Sequence, residues 1–247
     1  MPLIRSDARA AYFAHCPKAG GTSVEMFLID NYPQTELYDG DWHSRRLAGE
    51  RRDPAFDCSP QHLTWADAQG QLSVEPDLVF GIVRDPVKRM ISEYKFQRMY
   101  RKRLFWLTRL GFSTWLHVVL AAARRDPYVL DNHLRPQVAF LPEHAQWFKL
   151  EDGLDPVRDA VVACLGLGQG MSDIPHSLKG ASPGQAVRPA RADLALITQA
   201  FAADYDRFGY ARPDLSSAPD DGRGLLRQAV AACLSPVLCG LYRAQKL

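Results

Sequence analysis

The stretch Ala11-Tyr12-Phe13-Ala14-His15-Cys16-Pro17-Lys18-Ala19-Gly20-Gly21-Thr22-Ser23-Val24-Glu25-Met26-Phe27-Leu28 decides how the rest of the chain is read. Ala11 to Cys16 is a short apolar run with β-favouring aromatics that stops at Pro17, the pattern of a buried parallel strand entering a loop. Beyond Gly20-Gly21, Thr22 or Ser23 is a suitable helix cap, and Val24, Phe27 and Leu28 recur at i, i+3 and i+4 as one apolar helical face. Strand, glycine loop and helix in this order make an anion cradle. Glycines let backbone N–H groups approach a phosphate, and a helix N-terminus favours negative charge. Lys18, Ala19, Gly20, Gly21, Thr22 and Ser23 are therefore candidate phosphate-binding residues, the plain alternative being an ordinary glycine turn. The loop is not the Walker A pattern GxxxxGK[ST]: Gly21 stands where that pattern has lysine, and Lys18 precedes the glycines, which disfavours a kinase or GTPase.

Outward from this loop, residues 31–77 are rich in Pro, Gly and charge and read as irregular structure with one short helix near Leu63 to Leu72. Leu78 to Val83 fits a second buried strand, and Asp85-Pro86 is an N-cap followed by proline at the first helical position. Val87, Met90, Ile91 and Tyr94 give the ensuing helix an apolar face, and Arg98, Arg101, Lys102 and Arg103 make its far end basic. The plain alternative for this segment is that Asp85-Pro86 is just a helix start and that Arg89 or Glu93 is only solvated surface. The strand delivers Arg84 to the carboxyl edge of the sheet, where open α/β sheets bind ligands, so the Arg84 fork and the Ser92 hydroxyl are placed to share one phosphate. Further elements are a helix over Phe112 to Arg124, a strand over Gln146 to Leu150, and helices over Pro156 to Leu165 and Arg191 to Phe208. Residues 166–189 form a long Gly/Ser/Pro-rich loop. This alternation predicts an α/β fold with a parallel sheet and helices on both faces. Residues 1–212 form the main domain, and 213–247 a linker and a C-terminal helical tail, Leu225 to Tyr242, interrupted by Pro236.

The composition is that of a packed globular protein, 47% hydrophobic and 23% charged over 247 residues. A net charge of +2 excludes nucleic-acid binding by bulk electrostatics, so anions must be held by local Lys and Arg. Five cysteines, odd in number and without a CxxC pair, suggest free thiols rather than a disulfide framework or a zinc site. The amino end is charged where a secretory signal is apolar, and no uninterrupted run of about 18 apolar residues is evident, so a cytoplasmic enzyme is expected.

Together, Pro17-Lys18-Ala19-Gly20-Gly21-Thr22-Ser23 and Val83-Arg84-Asp85-Pro86-Val87-Lys88-Arg89-Met90-Ile91-Ser92-Glu93-Tyr94 resemble the motifs of sulfotransferases that use 3′-phosphoadenosine 5′-phosphosulfate (PAPS). The likeness is to the branch with the heparan sulfate 2-O and 6-O enzymes and the Golgi carbohydrate sulfotransferases. Trp147-Phe148-Lys149-Leu150-Glu151-Asp152 and the Asp204-Tyr205-Asp206-Arg207-Phe208-Gly209-Tyr210 close extend it over most of the chain. The resemblance implies a P-loop-like three-layer α/β/α fold with a central mostly parallel sheet. It also implies that Lys18 to Ser23 hold the 5′-phosphosulfate and that Arg84 and Ser92 hold the 3′-phosphate. Ala19 replaces a threonine common in relatives. Lys179 and Ser182 occupy the place of a loop that packs over the nucleotide in relatives, and Lys18 neutralises the leaving oxygen without any metal.

Transfer also needs a base, for which a neutral histidine is suited. Gln61-His62-Leu63-Thr64-Trp65-Ala66-Asp67 resembles the 6-O-sulfotransferase segment His-x-x-Trp-x-Glu, with the acid shortened to Asp67, which makes His62 the expected base. His133, in Asp131-Asn132-His133-Leu134-Arg135-Pro136-Gln137, resembles a carbohydrate-sulfotransferase segment and is expected on the acceptor side. His15 reads as a satisfied core histidine and Glu25 as a weaker base candidate. Arg98 and Arg101, with neighbouring aromatics, are candidates for gripping an acidic glycan, or form only a solvated basic helix. The expected partner is a saccharide or glycolipid acceptor; the tail is expected to dock on its own domain, with peripheral membrane contact or a homodimer as the alternatives. The competing readings are a phosphotransferase and a catalytically silent module that binds adenosine 3′,5′-bisphosphate.

Overall fold

The strand expected before the glycine loop is present as β2 (Ala10–Ala14), every residue of which is buried, in the computed structural model of the chain. The structure describes residues 2–37, 58–100, 105–166, 170, 173–175 and 186–244. The chain divides into two units, Met1–Arg84 with Gln137–Ala181 and Asp85–Pro136 with Ser182–Leu247.

The first unit holds the sheet. Its strands are β1 (Leu3–Arg5), β2, β3 (Gln34–Glu36), β4 (Leu78–Val83) and β5 (Gln146–Lys149), in the order β3-β1-β2-β4-β5. β2, β4 and β5 pair in parallel, whereas β1 runs antiparallel to both β2 and β3, so four of the five strands point one way. The mostly parallel sheet matches expectation, but β1 and β3 were not foreseen. Each has three residues, and β3 is the polar Gln34-Thr35-Glu36 at the sheet edge, where charge guards an open strand and erases any apolar alternation. Gly81 lies in β4 where an added Cβ would meet the Ala14 carbonyl at 2.7 Å, so close strand packing fixes glycine there. Helix α1 (Gly21–Asn31) follows β2, α2 (Trp65–Ala68) lies in the expected short helical stretch, and α6 (Asp155–Leu165) packs against β2.

The second unit is helical: α3 (Pro86–Tyr100), α4 (Phe105–Thr108), α5 (Phe112–Arg125), α7 (Arg191–Ala200), α8 (Ala202–Phe208) and α9 (Gly224–Arg243). Asp85 caps α3 as expected, its Oδ1 accepting from Lys88 N–H at 2.8 Å. The helix expected over Arg191 to Phe208 breaks at Phe201. The reading of Arg89 and Glu93 as solvated surface is overturned, since both are fully buried. The Arg89 guanidinium lies 5.0 Å over the Phe201 ring and 3.6 Å from Asp204, and it donates to the carbonyls of His133 and Arg135. It thus ties α3 to α8 and to the turn after α5.

Pro236 was expected to interrupt the tail helix, but α9 runs through it. Proline removes one N–H and crowds the preceding turn. Here it stands on the exposed side, while Ala231, Ser235, Leu238, Cys239 and Tyr242 hold the other side in the apolar core along α5. Among the described residues α9 is also long and apolar enough to cross a membrane, with mean hydropathy 1.5 and only 28% of the scored window buried. That corrects the expectation from the sequence: Ala, Cys, Ser and Gly break the run of large apolar residues without adding charge. Leu225 and Leu226 are 82% and 63% exposed.

Replacing Arg89 by Ala would strand Asp204 in the core, and breaking a buried pair in this way costs about 3–5 kcal/mol. Urea unfolding of Arg89→Ala is expected to show a loss of that order; a loss under about 0.5 kcal/mol would remove Arg89 from its structural role.

Candidate functional site

β2 releases the chain at His15 and Cys16, both buried, into the loop that enters α1. Lys18 takes the left-handed conformation at φ 66°, and Gly20 takes φ 90°. An added Cβ on Gly20 would sit 2.8 Å from Leu150 Cδ1, and one on Gly21 would sit 2.2 Å from the His15 ring. Gly20 is therefore set by close approach and by conformation, and Gly21 by close approach alone. Thr22 and Ser23, expected as caps, lie inside the first turn, and the cap position is Gly20 with no side-chain hydrogen bond. The reason is the left-handed Gly20, which swings the chain straight into the helix. The first turn of α1 holds no acidic residue, so its N–H dipoles face an anion without a competing carboxylate. Thr22 is exposed, Ser23 and Ala19 are buried, and Lys18 is half-buried.

Arg84, the first residue after β4, reaches this loop: its Nη1 donates to the Lys18 carbonyl at 3.3 Å. Its own backbone is held by the Gln137 side chain, whose Oε1 accepts from Arg84 N–H at 2.8 Å and whose Nε2 donates to Arg84 C=O at 3.0 Å. Gln137 lies in the Asp-x-His-x-x-Pro-Gln segment, but the reading of that segment rested on His133 and missed the glutamine.

His15 Nδ1 lies 2.9 Å from Glu25 Oε1, and both residues are buried. Burial pushes the Glu25 carboxyl up, but the charge and hydrogen bond of His15, with the charge of His62, outweigh it and hold the carboxyl below its usual range. The His15 ring meets that of His62 edge-on at 5.2 Å. His62 ends a tight turn (Pro60–His62), is nearly buried, and has its Nδ1 3.1 Å from Ser59 Oγ. Asp67 closes a capping box with the N-cap Thr64 at the start of α2, accepting at 2.7 Å from Thr64 Oγ1, while Trp65 is half-buried against Tyr12 and His144. Sequence alone could flag the ten-residue spacing of His15 and Glu25 only if strand, loop and helix were already folded back on each other.

Lys18, Gly20, Gly21, Arg84, His15, Glu25 and His62 all belong to the first unit. Ser92, His133 and Arg98 belong to the second. Ser92 is half-buried on α3. His133 is buried, with Nδ1 2.6 Å from Glu93 Oε2 and its ring stacked on Phe96. Arg98 is exposed and donates to the Tyr94 hydroxyl at 3.2 Å. Lys179, Ser182 and Arg101 lie outside the described residues.

Residues 2–153, more than half of the 247, match a family model described as the sulfotransferase family. No curated protein and no solved structure matches the chain.

Because the Glu25 carboxyl is held low in the folded state, its contribution is present above the ordinary carboxylate range and is lost as pH falls through the folded value. Glu25→Gln is expected to lose about 3 kcal/mol of stability at pH 7. The gap to the parent should narrow below about pH 4. Urea titrations at several pH values check this, and a gap independent of pH would contradict it.

Proposed function

The chain belongs to the sulfotransferase family, and from that premise we propose that it moves a sulfuryl group from PAPS to an acceptor hydroxyl of a carbohydrate or glycoconjugate. The observation that carries the reading is the Arg84 guanidinium 3.3 Å from the Lys18 carbonyl, which joins two donor motifs 66 residues apart within one unit. A donor bearing a phosphate at each end of its ribose needs two such anion sites side by side. The uncapped N-terminus of α1 and the Lys18 ammonium take the 5′-phosphosulfate, and the Arg84 fork takes the 3′-phosphate.

In the proposed reaction the acceptor oxygen forms a bond to sulfur as the bond from sulfur to the bridging 5′-oxygen breaks, and adenosine 3′,5′-bisphosphate leaves. Lys18 stabilises charge on the departing oxygen, so the reading invokes no metal. The acceptor proton goes to His62. In the tautomer that donates Nδ1–H to Ser59 Oγ, Nε2 is the ring atom that receives it. Half-buried Trp65, three residues on, supports a sugar acceptor, because sugar C–H faces stack on aromatic rings. A phosphotransferase is disfavoured on steric grounds as well as by motif: the Walker lysine position is Gly21, where even a Cβ would press on His15.

Incubation with labelled PAPS and a panel of saccharides, lipids and phenols, followed by mass detection, tests the reading. Lys18→Ala and His62→Ala are each expected to lower turnover at least about 100-fold, and His62→Ala is expected to keep its affinity for adenosine 3′,5′-bisphosphate. Bisphosphate binding without transfer to any acceptor would favour the silent binding module. Equal turnover by His62→Ala and the parent would remove His62 as the base.

A further inference from the structure

Gln137 opens a tight turn (Gln137–Ala139) of the first unit and is fully buried. A carboxamide buried in this way is matched to a peptide group, with one acceptor and a donor side by side. Its two bonds, 2.8 Å to Arg84 N–H and 3.0 Å to Arg84 C=O, are the pair that a residue on a neighbouring strand would make. The ladder between β4 and β5 ends at Val83 opposite Lys149. Gln137 carries the pairing of β4 one residue further, using a side chain in place of a strand.

The residue so held is the one whose guanidinium contacts the phosphate loop. Fixing φ and ψ at Arg84 fixes the direction of its Cα–Cβ bond, and the contact of Nη1 with the Lys18 carbonyl then restrains the far end. A guanidinium fork grips a phosphate with two parallel bonds only if its plane is set beforehand, since every rotor frozen on binding subtracts from affinity. We propose that Gln137 is a positioning residue for donor selection: by clamping the backbone of Arg84 it makes the site read the 3′-phosphate of the nucleotide. This rests on the donor assignment under Proposed function. The cradle for the other end has its own bonds, Ala19 N–H to Cys16 C=O and Ser23 N–H to Gly20 C=O, and does not depend on the clamp. Loss of Gln137 therefore weakens recognition of one phosphate and spares the other.

The test measures affinities of the full chain for adenosine 3′,5′-bisphosphate and for adenosine 5′-phosphate by calorimetry. The parent is expected to prefer the bisphosphate. Gln137→Met, similar in length and volume but unable to make either bond, should lose about tenfold in bisphosphate affinity with 5′-phosphate affinity unchanged. Combined with Arg84→Ala it should cost no more than Arg84→Ala alone. Gln137→Asn, polar and one methylene shorter, should behave as Gln137→Met does and is read if the latter melts below the assay temperature. Equal losses for both nucleotides would reduce Gln137 to a structural part, and undiminished discrimination in either folded variant would overturn the proposal. A parent with no preference between the nucleotides would instead overturn the donor assignment itself.

Discussion

The His15 ring lies so close to Gly21 that a single methyl group there would fall 2.2 Å from it. That contact forces glycine at the first position of α1 and leaves Gly20, at φ 90°, to turn the chain. The helix is therefore entered at Gly20 without a side-chain cap, next to Lys18. The same ring is anchored from α1 itself by Glu25, so strand, loop and helix are bound into one piece. Arg84 touches that piece from the end of β4, and Gln137 holds the Arg84 backbone. The shape of the loop is therefore set by tight packing of backbone on a buried histidine, and Lys18 adds charge beside it.

The parts of the fold legible in the sequence were those whose side chains are buried on all sides. β2, β4 and the amphipathic α5 announce themselves because burial demands apolar residues at a fixed period. β1 and β3 were invisible because three residues are too few to show a period, and β3 at the sheet edge is polar throughout. Pro236 misled because proline is a local signal, whereas packing of α9 along α5 is a tertiary one and prevailed. Arg89 and Glu93 misled because charge suggests solvent. Their burial depends on partners at His133, Arg135 and Asp204 that are distant in sequence.

The candidate site was legible as motifs and not as geometry. The loop from Lys18 to Ser23 and Arg84 could be named from spacing, since phosphate recognition uses short local patterns. The Gln137 clamp and the pairing of His15 with Glu25 could not, because each joins residues through the fold. Glu25 had been ranked low as a base and His15 set aside as a core group. They meet as one buried hydrogen-bonded pair against the loop, which links the stability of α1 to the shape of the cradle.

The central claim is that the loop at Lys18 and the guanidinium of Arg84 serve one doubly phosphorylated adenosine. Equilibrium dialysis of the folded full chain against labelled adenosine 3′,5′-bisphosphate, with ATP as competitor, tests it most directly. The account predicts saturable binding at one site per chain that ATP displaces poorly. Absence of saturable binding, or displacement by ATP at equal concentration, would contradict it.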